Sequence, residues 1–594
     1  MIETKEKMDF MRRYLFIIPI IVLLASCANR GVGPQGGPKD TIPPVPLQSV
    51  PEQGALNFQG KRVEVSFNEY LQLDNIASNL LMSPPQQTPP DVKARGKKLI
   101  VTFQDTLRTN TTYTIDFGDA VCDYHEKVPL HGFSFYFSTG PEIDTLETCG
   151  YVYDAENLNP IQGILAGIHD NLADSAFSTL PFLRIAKTDS IGFFRIGNMH
   201  NGTYRVYGVD DVSRDYRLTV SEALAFTEQP VEPGDTTTLF LFKEAQQRLY
   251  LQRTLRDVQH RITLLFSSSP DSVMSFRALR PSEMDSAKSD SSWTDPTPFI
   301  YTQVSAHGDT VTLWFTDSIA ITQDSLFLEA RYRRTDSLFN LEWYTDTLRA
   351  IWRAPKLSAK AQEAQHRKNR NRRLELKSNA RKNFELFDTL RLGCTTPLAS
   401  IELDSMHLYE VIDTVRKNIP FTLAPHDTLP MQISFIADFK ANGSYELCID
   451  SGALHDVYGV THIAGNYPFK LKIPEDYSTL RVKITPFVPH AMIQVLDGKD
   501  KVVRTLPADA DGAFFEYLKP DTYYLRLFMD ENGDGKWTTG SWEDKRQPEA
   551  VYYFSESIQT KSNWDFEEEW DYTAVPQTRA KPAVLIKAAP KKKK

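Results

Sequence analysis

The stretch "LIVTFQDTLRTNTTYTIDFGDAV", Leu99–Val121, decides the fold. Leu99, Val101 and Phe103 alternate with polar or outward positions, and so do Tyr113, Ile115 and Phe117. A period of two is that of a half-buried strand, and the polar run Gln104–Thr112 between the two sets is turn material. Working outward, "RVEVSF" (Arg62–Phe67) and "FSFYFSTG" (Phe133–Gly140) repeat the pattern. The long amphipathic helices that separate strands in an α/β fold are absent. The chain therefore reads as all-β, in tandem sandwiches. Its 594 residues suggest about four or five domains. A net charge of −9 over this length gives no reason to expect a nucleic-acid partner.

Lys5, Lys7, Arg12 and Arg13 precede the apolar run Tyr14–Ser26. That run is shorter than the ~20 residues of a spanning helix and suits an export signal. It closes in Leu24-Ala25-Ser26-Cys27, which resembles a bacterial lipobox. The resemblance implies cleavage before Cys27, acylation of its thiol and a lipid-anchored mature chain. Residues 27–40 are Gly- and Pro-rich and read as a tether. No acidic patch follows Cys27. Surface-exported lipoproteins of Bacteroidota resemble one another in having one, so the periplasmic face of the outer membrane is favoured over the cell surface.

From Thr41 to Gly140 the motifs "TIPPVPLQSVPEQGA", "VEVSFNEYL" and "FSFYFSTG" resemble the bacterial Ig-like domain of S-layer proteins. The resemblance implies a seven-strand sandwich without catalytic residues. Two further stretches, "DSIGFFRIGNMHNGTYRVYGVDD" (Asp189–Asp211) and "DADGAFFEYLKPDTYYLRLFMDE" (Asp509–Glu531), resemble carboxypeptidase-regulatory or transthyretin-like domains. They overlay each other without gaps, Gly192 on Gly512, Phe194 on Phe514, Tyr204 on Tyr524 and Asp210 on Asp530. An internal repeat is a strong organisational signal. The expected order is an Ig-like domain at 41–140, a transthyretin-like domain at 145–245, Ig-like sandwiches at 246–355 and 385–474, and a second transthyretin-like domain at 475–572. The domains are expected to follow one another as a rod. Residues 573–594 are expected to be a disordered basic tail.

Between the two middle sandwiches, 356–384 is expected to be a basic helical or disordered insert. Eleven Lys and Arg stand against Glu363 and Glu375 from Arg353 to Lys382. Two readings stand for it: a solvated spacer, or a contact to anionic lipid, lipopolysaccharide or an acidic partner through Arg367, Lys368, Arg370, Arg372 and Arg373.

Asp530, Asn532, Asp534 and Gly535 fit the first positions of a calcium loop, but position twelve is Ser541 rather than Glu. Asn, Asp and Gly also build turns without metal. The turn is preferred and no cofactor is expected, with Trp537 packing at the base of the loop and its N–H finding a polar partner. Cys394 and Cys448 fall in one domain and either pair or stay separate thiols. No Walker A loop, dinucleotide fingerprint, nucleophile elbow or H-E-x-x-H occurs, and His200 reads as a surface residue. The expectation is a non-enzymatic, lipid-anchored scaffold or accessory subunit with an envelope protein as partner. The alternative is a surface adhesin that stacks glycans on Trp537, Trp542, Trp564 or Trp570.

Overall fold

Strict alternation becomes strand. In the computed structural model 47% of the described residues are strand and 5% helix. The structure describes residues 40–587, apart from 220–221, 245–248, 271–273, 281–282, 284–296, 306–307, 318–320, 337–339, 354–371 and 426–429. Cys27, Arg367, Lys368, Arg370 and the Lys-rich end lie outside the described residues. Among the described residues no helix is long and apolar enough to cross a membrane. The described chain forms two compact units.

The first unit holds residues up to Glu147, with Leu183–Ile185 and Gly197–Asn201. Pro46–Val50, Arg62–Phe67, Lys98–Thr102 and Asp91–Arg95 pair in that order, and Leu81–Ser83, Thr112–Asp116 and Ser134–Ser138 form a second sheet. The alternating residues of the opening stretch enter the core between them: Leu99, Tyr113, Ile115 and Phe117 are fully buried. Arg184 donates to Thr112 O and meets Asp144 at 3.2 Å, while His200 Nδ1 meets the other Asp144 oxygen at 2.8 Å.

The second unit holds everything else. Its middle sandwiches have separate cores, one around Ile262, Val311 and Leu328, the other around Leu390, Leu408 and Tyr445. The 385–474 sandwich repeats a device of the first domain. Tyr445 Oη accepts the Lys440 N–H at 2.7 Å, as Tyr113 Oη accepts that of Arg108 at 2.7 Å. Each tyrosine stands three residues after an Asn of positive φ, Asn442 (61°) and Asn110 (47°). These short side chains tolerate the left-handed turn that aims the hydroxyl back at its own loop.

The helical expectation for 356–384 does not hold where the residues are described. Leu376–Ser378 is a strand paired with Leu390–Cys394, and Leu374 and Phe384 sit in the adjoining core. Apolar residues at one end of a basic stretch outweighed its helix propensity. The expectation of a disordered tail over 573–594 is overturned as well: Gln577–Ala580 is helical, and Leu585 is buried in an apolar cluster. Cys394 and Cys448 are free thiols, and Cys394 Sγ points to the Thr396 carbonyl at 3.0 Å.

The two repeat copies share one plan. In the first, β1 (Leu146–Asp154), β2 (Leu165–His169), β3 (Arg184–Lys187), β4 (Phe193–Met199), β5 (Arg205–Val209), β6 (Leu224–Phe226) and β7 (Thr236–Leu241) form sheets β4-β1-β7 and β3-β2-β5-β6. In the second, β8 (Ser478–Thr485), β9 (Ala491–Leu496), β10 (Val502–Pro507), β11 (Ala513–Leu518), β12 (Thr522–Met529), β13 (Val551–Tyr553) and β14 (Asp565–Asp571) form β11-β8-β14 and β10-β9-β12-β13, with the two-residue strand Ile558–Gln559 added beside the start of β12. The β1–β7 and β8–β14 pairs are both parallel.

The ungapped overlay needs correction. It holds at the turn glycines: Gly192 and Gly512 have φ of 77° and 89°, and a Cβ on either would come within 2.5 Å of a strand carbonyl, Val152 or Val482. It fails beyond them. Phe194 is 1% exposed, but Phe514 is 39% exposed beneath Arg481, and Phe515 fills the core. In β12 Tyr523, Leu525 and Leu527 face the core, whereas in β5 the position of Gly208 faces it, against Leu239 and Ile164. A one-residue slip inverts every face of a strand, and the identical letters concealed it.

Candidate functional site

The loop Asp530–Gly540 is knit by its own acids. The Asp530 carboxylate, 4% exposed, accepts the N–H groups of Gly533, Asp534 and Gly535 at 2.8, 3.1 and 2.8 Å. Asn532 Oδ1 accepts the Asp534 N–H and Asp534 Oδ1 that of Lys536. Buried Glu549 accepts from Glu531 and Thr538, and its carbonyl takes Trp537 Nε1 at 2.9 Å. Among the described residues no group of three or more His, Cys, Asp or Glu is arranged to hold a metal.

The first copy builds the same loop without the calcium-like letters. Asp211 accepts the N–H groups of Asp215 and Tyr216, and Glu222 those of Val212, Ser213 and Thr219. The counterpart of Asp530 is therefore Asp211, one residue after Asp210, and Glu222 plays the part of Glu549. A buried Glu following an Asx-rich loop was the signal available in the sequence for this shared plan.

Trp537, Trp542 and Trp570 are packed rather than offered to solvent. Trp570 is 3% exposed in the second copy's core. Trp542 stands edge-on to three rings of the first copy, Phe177 at 5.0 Å, Tyr207 at 5.9 Å and Phe226 at 5.1 Å, with Lys545 Nζ 3.1 Å over its own ring. Trp564 is 57% exposed. Of the basic residues singled out, Arg372 and Arg373 are described and exposed; the Arg372 guanidinium lies 5.2 Å over Tyr458.

Trp542 belongs to a junction that the sequence did not announce. Far from following one another in a row, the first and last domains of this unit pack together. Leu158 and Phe240 of the first copy share an apolar cluster with Leu496, Tyr524, Phe528 and Tyr553 of the second, closed by Ala580 and Leu585 of the C-terminal segment. Polar bonds line its rim. Thr539 Oγ1 donates to Lys243 O at 2.8 Å, Gln547 Nε2 to Phe226 O at 3.0 Å, and the Trp542 N–H to Glu244. Within it Lys581 Nζ meets Asp500 Oδ2 at 2.8 Å, Asn157 O at 2.6 Å and Asn159 Oδ1 at 2.9 Å. Burial pushes the Lys581 pKa down, against the pull of Asp500.

A second polar hub ties the 385–474 sandwich to the second copy. Glu385 takes Tyr477 Oη at 2.7 Å, Lys519 Nζ at 2.9 Å and Lys472 Nζ at 3.1 Å. Burial alone would raise its pKa; these bonds outweigh burial and hold it at about 2.

Residues 40–139 match the model of the bacterial Ig-like domain. No curated protein matches the chain. Among solved structures, the S-layer protein rSbsC(31-844) is similar at 11% identity and a TM-score of 0.15, over 82% of this chain and 64% of its own. The chain thus spans about 64% of that protein's length. The Bacillus anthracis TIE protein is similar at 10% identity and 0.12, over 91% and 76%. BcpA, the major pilin subunit of Bacillus cereus, is similar at 9% and 0.12, over 73% and 100%.

Proposed function

We propose that this chain is a non-enzymatic outer-membrane lipoprotein, a multi-domain β-sandwich scaffold or accessory subunit of a cell-envelope complex. The observation that carries the reading is the junction of the repeat copies. A buried, hydrogen-bonded Lys581–Asp500 pair and an apolar cluster close two sequence-distant domains on each other. Such construction suits a rigid frame that holds loops and sheet edges in place. The bacterial Ig-like domain at 40–139 and the shared seven-strand plan of the two copies, read as transthyretin-like, support it. Cys27 supplies the lipid anchor, and the periplasmic face is preferred. The glycan-binding alternative rests on Trp564, the one of its four tryptophans left largely exposed.

Cys27→Ser followed by membrane fractionation tests the anchor: the variant should leave the membrane fraction or remain unprocessed. A mature-sized variant retained in the membrane would refute it. Purification of the wild-type chain in mild detergent should bring an envelope protein along in fixed ratio, and a chain that purifies alone at native abundance speaks against the scaffold.

A further inference from the structure

The junction does not close completely. Between the copies lies a cleft of about 460 Å³, within the range of roughly 300–1,000 Å³ typical of binding sites. One wall is the turn after β6 together with Thr238 and Phe240 of β7; the other is Gln547–Ala550 of the second copy. β7 is the outer strand of its sheet. Its pairing with β1 settles where its backbone groups point. The Cys149 N–H donates to Asp235 O and the Ala155 N–H to Leu241 O, so odd-numbered carbonyls turn to β1. In a parallel ladder the N–H and C=O groups of Thr236, Thr238 and Phe240 then lie on the opposite edge, which among the described residues β6 meets only just beyond β7, where Leu224 and Phe242 exchange both backbone bonds.

The opposite wall offers no such edge. The Glu549 N–H donates to Thr538 O, its carbonyl takes Trp537, and both carboxylate oxygens are used. Pro230 on one side and Pro548 on the other cannot donate to an added strand. Phe226 and Phe240 supply apolar surface. Among the described residues no Lys or Arg lines the cleft, and the exposed acid Glu228 does.

We infer that the cleft takes an extended peptide segment of a protein partner, neutral or basic, which adds as a strand to the free edge of β7. Backbone groups presented at every second residue, about 6.6 Å apart, match the repeat of an extended chain. Main-chain bonds supply affinity and the flanking rings supply selectivity. The Glu228 carboxylate, with no base among the described lining residues, disfavours an acidic segment. This names the partner class of the scaffold and rests on that reading.

The purified full-length mature chain is panned against random peptides displayed on phage. Enriched peptides should alternate β-branched with polar residues and carry zero or positive net charge. A synthetic peptide of the enriched sequence is then titrated against wild type, Thr238→Pro and Ala550→Trp. The first removes an edge N–H that the β1 ladder does not use; the second fills the cleft. Both should weaken binding by at least about tenfold at an unchanged melting temperature. Hydrogen exchange of the wild-type protein should show the Thr238 and Phe240 amides protected by the peptide, a readout that needs no variant to fold. The proposal is overturned by no enrichment, by acidic enriched peptides, by variants that bind the peptide as tightly as wild type, or by unprotected β7 amides. Panning uses purified protein, so its failure removes the peptide site and leaves anchoring and scaffold to fractionation and co-purification.

Discussion

Lys581 Nζ stands 2.8 Å from Asp500 Oδ2, and each side chain is 2% exposed. Tyr553 Oη donates to the second Asp500 oxygen at 3.0 Å, and the ammonium's remaining protons reach Asn157 and Asn159. A buried pair is tolerable when every charge is bonded in this way, and costly when one partner is removed.

Lys581→Met should destabilise the second unit by about 3–5 kcal/mol, because Asp500 is left buried and unpaired. The double variant Lys581→Met with Asp500→Leu should recover most of that loss. Denaturant midpoints of the three proteins check the pair. Equal losses in the single and double variants would mean that the apolar cluster alone holds the junction.

Trp542→Ala empties the space among Phe177, Tyr207 and Phe226. A loss of about 3 kcal/mol is expected, as for a large aromatic truncated in a packed site. Tryptophan fluorescence and the denaturant midpoint read it together, and an unchanged midpoint would show that Trp542 only rests on the surface.

Glu385 makes stability depend on acid. Its folded pKa, about 2, lies below the ordinary value of 4.5, so its contribution is complete above about pH 4.5 and is lost as pH falls through 2. The gap between wild type and Glu385→Gln should be about 3 kcal/mol near neutral pH and close to zero at pH 2. A gap that does not shrink on acidification would show that the carboxylate's charge is not what stabilises the joint.

The Asp530 loop is expected to fold without metal. Melting temperatures in millimolar calcium and in chelator should agree. Asp530→Ala should cost about 2–3 kcal/mol through three orphaned N–H groups. A calcium-dependent rise of several degrees that Asp534→Ala abolishes would establish a site instead.

Alternation was enough to reveal the strands because a half-buried strand has no other economical pattern: Val63, Val65 and Phe67 all reach the core. The repeat was visible in its turn glycines, since a positive φ selects Gly. Its register was not, because Phe514 and Phe515, like Tyr523 and Tyr524, are adjacent identical residues on opposite faces. The junction was hidden for a different reason. Tyr524 and Phe528 lie on a strand buried on both faces, and periodicity cannot say which neighbour covers such a strand. Lys581 looked like part of a basic tail, and only its buried partner makes it structural.

The two repeat copies close on each other. Lys545 of the second copy lies 3.9 Å from Asp174 of the first, with the two side chains 37% and 52% exposed. A zero-length carbodiimide can reach that pair, and Lys98–Glu64 within the first unit, at 3.3 Å, serves as the internal control. Peptide mapping of the monomer-sized product should recover both cross-links. Recovery of Lys98–Glu64 without any Lys545–Asp174 link would contradict the closed junction and the scaffold built on it.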